Sequence, residues 1–507
     1  MCRRQAYRRP NRSLRHPRRA SGAPVRGLQA SYDAAQYNAD NRRHWAAADS
    51  LSADAANSPE IRAVLRRRSR YEAYNNCYSQ GILQTYANDV IGTGPRLQMK
   101  TADREANRFV EKEFAKWAKA VKLAAKLRMM RKSKLSDGEV FGILTTNPKL
   151  KSRVKLDLRV IEGDQCATPD LSILQKNRVD GIVFDEYDNP ETYHILKQHP
   201  GDATQWLLGE YDEVAADRVI HWFRQDRPGQ HRGIPEMMAA LPLFAQLRRY
   251  TLAVIAAAET AADVAGVLKT QNAPDGDSEI TPEAMDELPF QKRMFTVLPY
   301  GTELEQFKAE QPTTTYGEFK REILNELARC ISMPYNVAAC DSSDYNYASG
   351  RLDHQTYFRA IYIDRSDCED SVVERIFEAW LQEAMLIELD EPSRSRPARP
   401  YLPQSLRLAD AEIDHEWFWD GFEHVDPQKE ANADDTRLSN GTLTLADYYA
   451  GKGDDWEPKL EQRGREITRM RELGIPIPGE TPAGNQTDAV DEDEEEEWPE
   501  YNPNDFN

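Results

Sequence analysis

Apolar residues along this chain switch between a helical and a strand-like period, and the switches divide it. Helical spacing runs from Ser31 to about Asn88, with "LRRRSRYEAYNN" as a strongly basic turn. "VIGTGPRLQM" then reads as a helix end, a glycine turn at Gly92 and Gly94, and a strand. A second helical stretch, Glu105 to Met130, leads into "DGEVFGILTTNP", "KLDLRVIEGDQC", "GIVFDEYDNPETYHIL" and "DRVIHWFR". These β-branched and aromatic runs, broken by Gly, Asn and Pro, predict a strand-rich region.

In "QDRPGQHRGIPEMM", Pro228-Gly229 predicts a turn, and Gly233 frees the backbone before a helix carrying Pro235 in its first turn. That helix is expected to reach about Ala265, with a kink at Pro242. Leu247, Thr251, Val254, Ala258, Ala261 and Ala265 share one stripe of it; spacing alone favours a core helix of a monomer. Residues 266–309 read as a small αβ insert holding an acidic linker, "NAPDGDSE". Asp275, Asp277 and Glu279 imitate the first ligands of a calcium loop, but Ile280 stands where that loop needs glycine, so calcium is not expected.

Tyr316 to Ile331 predicts a second helix burying Phe319, Ile323, Leu327 and Ile331, closed by Pro334. "CDSSDYNYASGR" follows, and then a long helix from about Arg351 to Leu389 with Tyr357, Ile361, Cys368, Val372, Ile376 and Trp380 near one face. "DEPSRSRPARPYLP" reads as a linker. Beyond it Asp426-Pro427 starts a helix that Asn440-Gly441 stops, Thr444 with Asp447 starts a short one closed by Gly451, and a last helix from about Asp455 ends at Gly474. The class this implies is α+β, mainly helical.

Composition narrows the function. The 66 basic and 84 acidic residues leave a net charge of −18, which argues against a tight, sequence-reading DNA binder. Part of the acid lies in the tail "DAVDEDEEEEWPEYNPNDFN", read as solvated and disordered. The arginine-rich start fits a disordered arm and lacks the apolar core of a signal peptide. The longest alanine-rich apolar stretch carries Glu259 and Asp263, so no membrane span is expected. Six scattered cysteines without a CxxC pair argue for reduced thiols and against a zinc site.

No phosphate-loop, HExxH, GxSxG or Rossmann glycine pattern occurs. His194 and His199 are five apart, off-register for a shared helical metal face, and read as ordinary polar residues. No catalytic residue, metal ligand or cofactor site is expected. Two rival classes stay open: a metal-dependent DNA-processing enzyme, marked by a clustered acidic site, and a monomeric scaffold or adaptor.

Taken together, "LRRRSRYEAYNN" with "VIGTG", "RPGQHRGIPEM", "LPYGTELEQF", "DYNYASGRL" and "WFWDGFEHVDPQKEANADDTRLSNGTLTL" resemble the lambda-type family of tailed-phage portal proteins, over about Tyr32 to Glu472. Ala348 stands where the family more often has serine. The resemblance implies a structural ring, typically of twelve subunits, at the capsid vertex of the virion, assembled in the bacterial cytoplasm. Double-stranded DNA passes through it without sequence recognition. Implied partners are the terminase motor, capsid and scaffold proteins, and head-tail adaptors.

The implied organisation, outside a basic arm at 1–30 and an acidic tail at 476–507, is a wing at 31–232, a first stem helix at 233–265 and a clip at 266–309. A second stem helix at 310–333, a tunnel loop at 334–350, a long helix with wing return at 351–425 and a helical crown at 426–475 complete it. Candidate residues follow from this organisation. Asp341, Ser342, Ser343, Asp344, Tyr345 and Asn346 would face DNA in the tunnel loop, Asp275, Asp277 and Glu279 would make clip contacts, and Leu247, Val254, Ala258 and Ala261 would form the stem interface. Acids and short hydroxyls give phosphates weak or repulsive contacts, and a dozen copies carry a charge of about −200, so such a conduit would not trap its cargo.

Overall fold

The computed structural model describes residues 43–168, 177–202, 210–263, 267–270, 302–305, 315–343, 345–389, 400–407, 413–422 and 427–477. The chain divides into two compact units, Met1–Ser52 and Ala53–Asn507. The first is described only at 43–52, a turn and an extended stretch. All described helices and strands belong to the second.

The helical beginning is not one rod. Helices α1 (Ala53–Ala56), α2 (Pro59–Asn75) and α3 (Cys77–Ile91) are separated by polar caps. Ser58 caps α2 with Pro59 at its first position, and the Asn76 side chain accepts from the Tyr78 and Ser79 amides to start α3. Gly92 and Gly94, both at positive φ, then turn the chain into β1 (Arg96–Met99), as the glycine pattern predicts. The second helical stretch is likewise two helices, α4 (Arg104–Ala120) and α5 (Leu123–Asp137), broken where Lys122 adopts φ +56°.

The strand-rich region follows. β2 (Glu139–Thr146) is the centre of an antiparallel sheet between β3 (Leu156–Glu162) and β8 (Val219–Phe223). A second sheet holds β4 (Arg178–Val179), β5 (Ile182–Phe184), β6 (Pro190–Leu196) and β7 (Tyr211–Ala215) in that order. β2 is buried on both faces: Val140 and Leu144 enter the main core, while Phe141 and Ile143 enter a smaller one with Tyr193 and Ile195 of β6. Such a strand shows no polar alternation, which is why "EVFGIL" reads as a continuous apolar run.

The next helix departs from expectation. α6 spans Leu241–Asp263, 23 residues or about 35 Å, and starts eight residues after Gly233. The reason is tertiary: a Cβ on Gly233 would lie 2.1 Å from the Gly138 carbonyl, so the chain at Gly233 is pressed against the start of β2, and coiling begins only with a 3-10 turn at Met238–Ala240 that leads into α6. Pro242 consequently occupies the first turn of α6, where a missing amide hydrogen costs nothing, and there is no mid-helix proline to kink it. β9 (Val267–Thr270) and β10 (Thr302–Glu305) pair antiparallel, and α7 (Thr315–Arg329) follows. The short helix and acidic linker expected between the two strands lie outside the described residues.

After α8 (Tyr335–Ala339) the long helix comprises α9 (Tyr347–Cys368), a π-helical turn at Glu369–Val373, and α10 (Glu374–Leu386). Tyr357, Ile361, Cys368, Val372, Ile376 and Trp380 are all buried, on the face the sequence assigns. From Cys368 the stripe repeats every four residues, which in a regular helix drifts about 40° per step; the wider π turn takes up part of that drift. The stripe packs on α4, where Phe114 lies 5.5 Å from Phe377, 5.3 Å from Trp380 and 5.6 Å from Trp417.

α11 (Gln404–Arg407) and β11 (His415–Phe418), which pairs with β1, lead to the last three helices: α12 (Pro427–Ser439), α13 (Leu445–Gly451) and α14 (Trp456–Leu473). Thr444, Asp455 and Gly474 cap them as the sequence predicts. No described residue of these three helices is fully buried. No described helix is long and apolar enough to cross a membrane.

Candidate functional site

Two of the motifs that carry the resemblance meet in one buried cluster. Arg62, Arg66 and Arg70 are four residues apart, so they line one face of α2. That face is turned inward. Arg62 binds Asp180, Arg66 binds Glu139 and, at 3.3 Å, Asp164, and Arg70 binds Asp137 at 2.7 Å. Arg232 of "RPGQHRGIPEM" joins from the loop before α6. Its Nη2 donates to Glu139 Oε1 at 2.6 Å and its Nε to Oε2 at 2.9 Å.

The Gly233 amide donates to the same carboxylate at 2.9 Å, and His221 Nε2 stands 3.0 Å from it. Burial alone would raise the Glu139 carboxyl; Arg232 and Arg66 outweigh it and hold the group well below the usual range. Burial lowers His221, which stays neutral, and burial next to Arg232 brings Arg62 down to about 10. Arg66 and Arg70 of the basic turn, with Arg62 one helical turn before it, therefore form a structural clamp joining α2, both sheets and the loop before α6. Arg67 and Arg68 alone of this run point outward as exposed side chains, with Arg70 half-buried.

A second buried cluster fastens the long helix. Arg131 of α5 binds Asp364 and, at 2.8 Å, Glu236, while Lys134 binds Asp367 at 2.6 Å. The Tyr357 hydroxyl donates to Asp89 at 2.7 Å, and Arg365 donates to the carbonyls of Val90 and Asp89.

α6 and α7 run antiparallel, joined by Thr251 and Tyr316 hydroxyls 3.0 Å apart and by Tyr250 against Phe319 at 5.0 Å. The four stem-interface candidates do not form one exposed stripe. Leu247 is 3% exposed, packed in the chain's own core, and cannot meet a neighbour; Val254 is half-buried and Ala258 exposed. Ala261 lies in α6, but its side chain is outside the described residues. Phe319, expected inside, is 50% exposed, whereas Leu327 and Ile331 are buried. Leu252 and Ile255 are exposed too. The sequence signal for these was present, as apolar positions off the core stripe, but α6 projects past the core and stripe assignment alone misorders its faces.

Asp275, Asp277 and Glu279 lie outside the described residues. Within 334–350, α8 and the first turn of α9 occupy nine residues, and the described residues of Cys340–Asn346 between them are irregular. Cys340 adopts φ +52°. The Ser343 amide and hydroxyl donate to Asp341 Oδ1 at 3.1 and 2.7 Å, and those bonds hold the Asp341 carboxyl below its ordinary value, so it is charged at neutral pH. Asn346 caps α9 by accepting from the Ser349 amide at 2.9 Å. Asp341, Ser342, Ser343 and Asn346 are exposed, Tyr345 is half-buried, and Asp344 lies outside the described residues. The loop thus presents acid and hydroxyl groups while capping two helices.

Among the described residues one group, Glu162, Asp164 and His199, brings three ligand-type atoms together. A cation is already there: Arg70 lies 3.0 Å from Glu162 and 2.6 Å from Asp164, with Arg66 also on Asp164. The group is an ion-pair cluster of this chain and does not suit a metal.

The probable portal protein of Halomonas phage phiHAP-1 is 26% identical over 462 residues, covering 86% of each chain. Portal protein B of Escherichia phage lambda is 21% identical over 468 residues, covering 83% of this chain and 86% of its own. Among solved structures, the chain is similar to one in the neck of an empty gene transfer agent particle, with TM-score 0.47, 13% identity and coverage of 83% and 95%. The family described as phage portal protein, lambda family, matches residues 39–365, well over half of the sequence, and the chain belongs to that family.

Proposed function

We propose that this chain is the portal subunit of a tailed-phage capsid vertex: copies form a ring, with twelve the expected number, and double-stranded DNA enters and leaves the capsid through it. The observation that carries this reading is the family match across 39–365, which takes in α6, the β9–β10 pair, α7 and the Cys340–Asn346 loop. The family's role is structural, and this chain acts without catalysis. α6 and α7 serve as the stem, the insert between them as the clip that docks the terminase motor and later the head-tail adaptors, and α12–α14 as the crown. The Asp341–Asn346 loop lines the tunnel. Its charged carboxylate and exposed hydroxyls favour passage over binding, because each phosphate neutralised by a cation would release counterions and hold the DNA.

The test is imaging and native mass spectrometry of the purified chain. A ring with a central hole, of roughly 700 kDa for twelve 58.0 kDa subunits, is the expected result. A particle near 58.0 kDa would overturn the reading in favour of a monomeric adaptor.

A further inference from the structure

We infer that neighbouring copies meet head to tail across α6, the Phe319 flank of one copy seated in an arginine-rimmed apolar groove of the next. This rests on the ring reading and names its contact surfaces. The groove, of about 730 Å³, lies between α2 and the first turns of α6; Val64, Leu65 and Tyr71 form one wall, Met238, Pro242 and Ala245 the other. Arg67 and Arg68 stand on its rim, exposed and without an ion pair among the described residues. The other charged groups nearby are satisfied: Glu72 is buried against Arg248 at 2.8 Å, and that guanidinium covers the Tyr71 ring. What is left is an apolar trough with two free positive charges.

The second surface lies between α6 and α7 and has the opposite character. Phe319, 50% exposed, projects beside Leu243 and Ile323, flanked by Glu322 and Glu326. Glu318 is also exposed on α7, and one exposed cation, Arg329, lines the same surface, which leaves the acids in excess. The remaining cations of α7 are engaged elsewhere, Lys320 over the Tyr78 ring and Arg321 over that of Tyr335.

The two surfaces face different ways. At 3.6 residues per turn, Leu241, Pro242 and Ala245 centre about 150° around α6 from Leu243. Between them the helix buries Phe244 and Leu247. Neither surface complements itself, as a two-fold dimer would require; each complements the other, with half-exposed apolar side chains on both and acids facing arginines. A contact between two different patches on opposite flanks repeats from copy to copy, the kind of contact from which a ring closes when the rotation per copy returns to the start. A second copy is thus the occupant that the charges select.

The experiment uses the full-length chain and two charge-reversed variants, R67E/R68E and E322K/E326K, with ring fraction read by native mass spectrometry at fixed concentration. Each variant alone sets like charges against each other at every contact, and its ring fraction should fall about tenfold or more. An equimolar mixture should regain rings of alternating subunits, because the reversed groove of one variant then meets the reversed flank of the other, and the intact groove the intact flank. The chain carrying all four reversals should assemble by itself. Thermal melts report folding independently, and regained assembly excludes misfolding as the cause of the loss. Variants that each form wild-type rings, or a mixture that stays dispersed, would overturn the contact and leave the grooves to a different protein. A dispersed wild-type chain would refute the ring reading itself, and the contact with it.

Discussion

Glu139 concentrates the most electrostatic consequence in one side chain. It is 0% exposed and neutralises a cluster in which Arg62, Arg66 and Arg232 face Glu139, Asp164 and Asp180. Glu139→Gln preserves shape but leaves the cluster with one excess positive charge and turns an amide donor toward guanidinium donors. Breaking a buried pair in this way costs about 3–5 kcal/mol, a large part of the roughly 5–15 kcal/mol by which a folded domain is stable. Urea unfolding followed by circular dichroism, at fixed concentration and assembly state, should register that loss as a lower midpoint.

The pH dependence supplies a second readout. The Glu139 carboxyl is depressed in the fold below its ordinary 4.5, so its contribution is complete above that value and is lost as pH falls toward the folded one. Wild type should therefore lose stability more steeply than E139Q as pH is lowered below about 5. A loss under about 1 kcal/mol, or identical acid limbs, would refute the account of Glu139 as the cluster's counter-charge.

Trp380→Ala should cost about 3–5 kcal/mol in the same unfolding assay, because the indole is fully buried against Phe114; a loss below 1 kcal/mol would contradict that packing. Gly453→Ala puts a side chain at φ +74° and a Cβ 2.3 Å from the Trp419 carbonyl, so limited proteolysis within Leu445–Leu473 should quicken while the main unfolding transition stays in place. Equal cleavage rates would show that this crossing does not hold α13 and α14. In the assembled ring, Asp341→Lys, alone or with Asp344→Lys, should steepen the log–log salt dependence of DNA binding by about 0.9 per new phosphate contact and slow packaging most at low salt. An unchanged slope would place the loop away from DNA and leave it a helix junction.

Local chemistry made much of this fold legible. Gly92 and Gly94, Asn440-Gly441, Thr444, Asp455 and Gly474 mark helix ends in the sequence and do so in the structure, because capping satisfies backbone groups within a few residues. The buried face of the long helix was legible too, since a stripe from Tyr357 to Trp380 needs only helical periodicity. The order of the motifs identified the family.

Tertiary contacts decided the rest. Whether the arginines of "LRRRSR" meet solvent or carboxylates depends on Asp137, Glu139 and Asp164, roughly 70 to 100 residues further along the chain, and no local pattern encodes that meeting. The start of α6 was set by a close approach of Gly233 to Gly138, and Leu247 was assigned to a neighbour because spacing cannot tell where along a helix the core ends. The Cys340–Asn346 loop shows the same division. Its acids and hydroxyls are fixed by sequence, but their exposure and the bonds that keep Asp341 charged exist only once α8 and α9 hold the two ends of the loop.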